Sequence, residues 1–127
     1  MNTPIDIGIA RRIGSYGDAI EVPAGARWLL TSGTPGLPAE GPPPEGISAQ
    51  ADLAWRHILA MLDRAGMSVA DLVKVNQYLT RESDIAEYAR VRARHLGAAR
   101  PASMLAIVPA LVRPEFLVEI EVIAAAR

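Results

Sequence analysis

Residues 100–124 of the chain read RPASMLAIVPALVRPEFLVEIEVIA, two strand-like runs joined by a turn around Arg113 and Pro114. One face of the second run is entirely apolar and carries Phe116, Val118, Ile120 and Val122. The opposite face carries Leu117, Glu119, Glu121 and Ile123. This period of two predicts a β-strand whose first face is core. Lone carboxylates are costly in a dry core, and large apolar residues are unusual on a solvated face. The second face is therefore interpreted as the rim of an interface or a pocket.

The rest of the chain alternates between strand-like and helix-like patterns. Its predicted elements are a β-hairpin at residues 16–22 and 27–33, a proline-rich loop at 34–47, a helix at 48–66, a strand at 73–80 and a helix at 83–97. With the two C-terminal strands the order is β-β-α-β-α-β-β. This order indicates an α+β fold, with one mixed sheet and two helices on one face. The opposite face must be covered by another subunit or carry solvent, and its apolar residues Leu117 and Ile123 favour a subunit.

Length and composition limit the class of protein. The 127 residues are expected to form a single domain over residues 1–127, with an interior built from aliphatic side chains because only 5% of residues are aromatic. No apolar run approaches the roughly 18 residues of a membrane span, and the N-terminus carries no recognisable export signal. A formal charge of -1 argues against general binding of nucleic acid. We therefore expect a soluble, cytoplasmic protein with no nucleic-acid or membrane partner.

The content of cysteine and histidine argues against metal and thiol chemistry. The chain has no cysteine, which excludes disulfides, a thiolate nucleophile and cysteine-based metal sites. His57 and His95 lie far apart in sequence and on separate predicted helices. A metal centre or a Ser-His-Asp triad would have to be built on these two residues and scattered carboxylates, so no metal site is predicted.

Several motifs together resemble those of the Rid (reactive intermediate deaminase, YjgF-like) family. They are the C-terminal pattern quoted above, TSG at residues 31–33, DLVKVNQYL at residues 71–79, and the order of elements. The likeness covers nearly the whole chain. It implies a chorismate-mutase-like fold and a homotrimer with a small-molecule cleft between each pair of subunits. It also implies hydrolysis of reactive enamines and imines, such as 2-aminoacrylate, to a 2-keto acid and ammonia without metal or cofactor.

The resemblance also implies roles for individual residues. Tyr16, Ser32 and Gly33 match substrate-binding positions, and Glu119 matches the family carboxylate that would act as the catalytic residue. Glu119 would orient or deprotonate a water molecule that attacks an imine carbon. On a more conservative interpretation, Glu119 and Glu121 are interface charges satisfied by arginines.

Two positions depart from the deaminase branch of the family. Ser103 stands where that branch has a carboxylate-binding arginine, and Ala89 stands where it has an asparagine. An arginine binds a carboxylate with two parallel hydrogen bonds, which one serine hydroxyl cannot replace. Ser103 therefore suits a neutral ligand, or one that is held from elsewhere.

Arg92 and Arg100 are the candidates for a replacement cation. Arg92 falls within the apolar stripe of the second helix. Its side chain therefore extends outward, pairs with a buried carboxylate or enters the cleft. Arg100 precedes Ser103 by three residues and is either a loop charge or a cleft residue. Two other functions stay open: a non-catalytic ligand-binding or regulatory trimer, motivated by Ser103 and Ala89, and RNA binding or ribonuclease activity through Arg90 and Arg94.

Overall fold

The alternating segment near the C-terminus forms the longest strand, and it lies inside the main sheet. The computed structural model describes all residues from 1 to 127. Its elements are β1 Thr3–Ile5, β2 Ala19–Glu21, β3 Arg27–Leu30, β4 Thr34–Pro35, α1 Ile47–Arg64, β5 Leu72–Leu79, α2 Ile85–Leu96, β6 Ala102–Ile107 and β7 Val118–Ala126. Short 3-10 turns precede β5 and α2 and follow β1.

The main sheet is mixed and has the strand order β3-β7-β5-β6, with β4 also paired to β7. Strand β7 is antiparallel to β3, β4 and β5, whereas β5 and β6 are parallel. Strands β1 and β2 form a separate antiparallel pair. The predicted α+β class is confirmed, and the predicted order of elements broadly agrees with the structure, which adds the short strands β1 and β4.

Both helices pack on one face of the sheet and enclose the core there. The apolar face of the C-terminal strand is buried as predicted, at Phe116, Val118, Ile120 and Val122. Trp55 from α1 and Tyr88 from α2 are the largest fully buried side chains. No helix in the structure combines the length and the apolar character that a membrane crossing requires.

The predicted pairing of the strands is wrong in two places. Strands β2 and β3 do not form a hairpin, because β2 pairs with β1 and β3 pairs with β7. The two C-terminal strands are not neighbours either, because β5 lies between β6 and β7. Alternation of apolar residues identifies a strand but not its partner. Since α2 connects β5 to β6, the crossover places β6 parallel to β5, on the side away from β7.

The proline-rich segment is irregular as predicted, apart from the two residues of β4. A glutamine holds the end of this loop. Gln50 on α1 donates hydrogen bonds to the main-chain oxygens of Pro44 and Glu115 at 3.1 and 3.0 Å, and it accepts one from the Leu117 N–H at 2.9 Å. The Gln50 side chain is buried. Its three main-chain partners account for this burial, since buried polar groups require hydrogen bonds.

Candidate functional site

A cavity of about 550 Å³ lies between α2, β6 and the N-terminal segment. Four of the predicted substrate-binding residues line it: Tyr16, Arg92, Arg100 and Ser103. Its apolar wall includes Ile85, Ala89, Ala93, Leu96 and Leu105. This volume and this mixture of apolar walls with a few polar groups are typical of sites for small molecules.

The N-terminal segment brings Tyr16 to the cavity through contacts with the start of β6. The Gly17 N–H donates to the Pro101 oxygen at 3.0 Å. A β-carbon on Gly17 would lie 2.7 Å from the Arg100 main-chain oxygen, so only glycine permits this approach. Asp18 holds the preceding loop by accepting hydrogen bonds from the main chain of Ile7 and Ala10, both at 2.8 Å. These bonds stabilise the ionised carboxylate and lower the pKa of Asp18.

Arg92 lies on the wall of the cavity. Its Nη1 donates to the side-chain oxygen of Gln77 at 2.8 Å. Its guanidinium carbon is 5.5 Å from the centre of the Tyr88 ring, within the range of a cation–π interaction. No carboxylate lies within ion-pair distance of Arg92. The structure therefore does not pair Arg92 with a carboxylate, and it places this half-exposed side chain on the wall of the cavity, bound to Gln77.

Gln77 is the polar residue that the sequence analysis missed. Its side chain is fully buried, on the core face of β5 between Val75 and Leu79. Its oxygen accepts from Arg92 and from the Tyr88 hydroxyl, the latter at 2.6 Å. A polar residue in the apolar register of a strand was the signal that could have identified it. Burial also raises the pKa of Tyr88, so its hydroxyl stays protonated as a donor.

Arg100 has a structural role within the subunit. Its Nη1 donates to the main-chain oxygens of Gly97 and Ala99, at 2.8 and 2.9 Å. These carbonyls lie at the C-terminus of α2, where a cation is favourable because it opposes the negative end of the helix dipole. The side chain borders the cavity, and its Nη1 is held by these two carbonyls.

Glu119 lies elsewhere, against the backbone of Gly33. A β-carbon on Gly33 would be 2.5 Å from the Glu119 Oε2, so the carboxylate occupies the space that a side chain would need. Partial burial, and secondarily the charge of Glu121, raise the pKa of Glu119. Glu121 accepts hydrogen bonds from Asn76 and Tyr78, each at 3.2 Å, whereas Glu119 has no hydrogen-bond donor within the subunit.

The strand register separates Glu119 from the cavity. Ser103 pairs with Val75, whose side chain is in the core, so Ser103 lies on the helix-covered face of the sheet. Glu119 pairs with Tyr78 and lies on the opposite face. The predicted site residues therefore form two groups within one subunit. Tyr16, Arg92, Arg100 and Ser103 share the cavity, while Glu119 and Gly33 lie together on the far side of the sheet. Ser32 is exposed and precedes Gly33 in the chain.

The other candidate residues do not form a site. Arg90 forms an ion pair with Glu87, and this pairing lowers the pKa of Glu87, as expected for a solvated helix face. His57 contacts the Leu37 oxygen at 2.7 Å, and His95 contacts Asp52 at 2.8 Å. No group of three or more histidine and carboxylate side chains is arranged to hold a metal ion.

Comparison with known proteins identifies similar chains. The family model described as Endoribonuclease L-PSP matches residues 9–126. A RutC family protein from Pyrococcus horikoshii is 34% identical over 113 residues, which cover 88% of this chain and 87% of the relative. The solved structure of RidA from an Antarctic Psychrobacter is 34% identical, covers 90% of each chain and has a TM-score of 0.74. A Rid-family protein, YyfB from Yersinia pestis, is 26% identical, covers 98% of each chain and has a TM-score of 0.85.

Proposed function

The chain belongs to the Rid family, and on this premise we propose that it binds a small carbonyl or imine compound in a cleft between subunits of a homotrimer. We further propose that it hydrolyses enamines or imines there to a carbonyl product and ammonia. The observation that carries the proposal is Glu119, a half-buried carboxylate with a raised pKa that has no hydrogen-bond donor in its own subunit.

The two separated groups of site residues support a site shared between subunits. A second copy that docks its Glu119 and Gly33 against the cavity would complete one site from both groups. The outer face of the sheet favours such docking because it exposes large apolar side chains, with Leu30 68% and Met104 56% exposed. The solved structure of TdcF from E. coli, 28% identical to this chain, contains bound serine. A ligand of that size is compatible with the cavity described above.

The proposed reaction uses only groups of the protein, water and substrate. Ionised Glu119 accepts a proton from water while the water oxygen bonds to the carbon of the protonated imine, and the electron pair of the C=N bond moves to nitrogen. In the resulting carbinolamine the nitrogen takes the proton that Glu119 now carries, which makes it an ammonium leaving group. Ionised Glu119 then accepts the proton of the hydroxyl, the O–H electron pair forms the C=O bond, and the C–N bond breaks to release ammonia. A carboxylate with a raised pKa suits this role because it is a stronger base than an ordinary glutamate.

The test is hydrolysis of freshly generated 2-aminoacrylate, measured as release of ammonia and keto acid. The wild type should exceed the rate in buffer, and Glu119→Gln should lower the rate about 10²- to 10⁴-fold, the usual contribution of a general base. Glu45→Gln is a matched control, because Glu45 is exposed on the proline-rich loop. A wild-type rate equal to that of buffer would reject hydrolysis of this substrate and favour a non-catalytic ligand-binding trimer.

A further inference from the structure

We propose that Arg92 and Ser103, both oriented by the buried Gln77, form an oxyanion-binding pair that holds the carboxylate of the ligand. The inference rests on the proposed function and names the residues of this chain that would hold an anionic group of the ligand. The positive charge would then come from Arg92 on α2. On β6, Ser103 occupies the position where the resemblance implies an arginine.

The orientation of the Gln77 amide follows from its partners. An arginine side chain can only donate, so the group that faces Arg92 must be the Gln77 oxygen. A main-chain carbonyl can only accept, so the group that faces the Met104 oxygen, at 3.0 Å, must be the Gln77 nitrogen. The contacts with Arg92 and with the Met104 oxygen therefore require the same orientation of the Gln77 amide.

This orientation determines what Ser103 can offer to a ligand. The Gln77 nitrogen donates to the Ser103 Oγ at 2.9 Å, so the serine acts as the acceptor in that bond. The hydroxyl hydrogen of Ser103 must then point elsewhere, and no protein atom accepts it in the subunit. Because Ser103 borders the cavity, its hydroxyl is a donor available to a bound molecule.

Arg92 supplies further donors on the same wall. One of its N–H groups is used by Gln77, and the others remain free. Its position is restricted by two contacts, the bond to Gln77 and the face of the Tyr88 ring one helical turn earlier. Fixed donors require less ordering when a ligand binds, which increases affinity.

A carboxylate is the ligand group that matches these donors. Arginine binds planar carboxylates with two parallel hydrogen bonds, and the Ser103 hydroxyl can add a third. The remaining wall is largely apolar and includes Ile85, Ala89, Leu96 and Leu105. Such a wall suits an apolar group next to the carboxylate.

The experiment compares binding of 2-oxobutanoate with that of its uncharged methyl ester, measured by ligand-observed NMR titration of the folded oligomer. Arg92→Gln should weaken binding of the acid about 10- to 100-fold, since hydrogen bonds to charged groups have that magnitude, and should leave binding of the ester unchanged. Ser103→Ala should weaken binding of the acid about 2- to 10-fold. Arg94→Gln is the matched control, because Arg94 is exposed on the same helix and should bind the acid as the wild type does.

Gln77 is a positioning residue, and Gln77→Glu tests that role. A glutamate there would neutralise Arg92 internally, so we expect the affinity for the acid to fall as in Arg92→Gln while the affinity for the ester persists. A residue that only stabilised the core would weaken binding of both probes equally, and that outcome would reject the positioning role. If Gln77→Glu does not fold, the Arg92 and Ser103 variants still test the oxyanion pair.

The outcomes separate this inference from the proposed function. If Arg92→Gln binds 2-oxobutanoate as tightly as the wild type, the oxyanion pair is rejected while hydrolysis of 2-aminoacrylate can stand. If the wild type binds neither the acid nor the ester, the oxyanion pair is rejected, and the hydrolysis assay decides the proposed function separately. Preferential loss of binding of the acid in Arg92→Gln, with the oligomer intact, supports the oxyanion pair.

Discussion

The Glu119 carboxylate occupies the space beside Gly33 that a β-carbon would fill, with Oε2 only 2.5 Å from the position of that carbon. Real β-carbons do not approach other atoms so closely, and the Glu119 side chain is the more mobile of the two groups. Gly33 is therefore needed for the orientation of Glu119.

Gly33→Ala should displace the carboxylate and lower hydrolysis of 2-aminoacrylate at least about 10-fold, while the fold persists because Gly33 is exposed. The double variant Gly33→Ala/Glu119→Gln provides the control. If the alanine acts through Glu119, it should have no further effect once the carboxylate is absent. Equal effects in both backgrounds would contradict this prediction.

Replacement of Glu119 should also change the pH dependence of stability. Because the folded-state pKa of Glu119 is raised above its unfolded value, ionisation of this group destabilises the folded protein. The destabilisation is complete above the folded pKa and disappears as pH falls below the unfolded value of about 4.3. Glu119→Gln should therefore raise the free energy of unfolding at about pH 7 and have little effect at about pH 3.5.

Urea denaturation at both pH values, with equal protomer concentrations, measures this difference. The control Glu45→Gln should change the free energy of unfolding little at either pH. A loss of stability in Glu119→Gln at neutral pH would contradict the prediction and would instead show that a cation from a second subunit stabilises the charged form.

Gln50 should contribute strongly to stability because it satisfies three main-chain groups in the proline-rich loop and before β7. Gln50→Ala would leave these groups without partners, at a cost of about 2 to 4 kcal/mol in the free energy of unfolding. Ala49→Ser, at the exposed neighbouring position, is the control and should change stability by less than about 0.5 kcal/mol. An effect of Gln50→Ala as small as that of the control would show that water replaces the side chain.

The oligomer should depend on the apolar outer face of the sheet. Leu30→Glu places a charge where a second subunit is expected to pack, so light scattering should show a shift from three times the mass of one chain towards a single chain. Ile7→Glu is the control, because Ile7 is 72% exposed outside the main sheet. A wild-type protein that scatters as a single chain would reject the shared site.

The positions of most strands and helices could be predicted from the sequence, whereas the pairing of the strands could not. The helices, β5 and the core face of β7 agree with the sequence pattern because each has a clear periodicity over eight residues or more. The pairing of β2 with β1 could not be read in the same way, because both strands have three residues and little alternation. Gln77 was missed for a related reason, since its hydrogen-bond partners lie on α2 and β6, at distant positions in sequence.

The sequence by itself determined the α+β class, the family and the buried face of β7, because these depend on local periodicity and on motifs that are contiguous in the chain. Only the tertiary structure decided that β5 separates β6 from β7, and that the register of these strands places Ser103 and Glu119 on opposite faces of the sheet. The physical reason is that strand pairing and side-chain hydrogen bonds join residues far apart in sequence. The quoted C-terminal stretch contains both halves of the candidate site, yet it does not bring them together within one subunit.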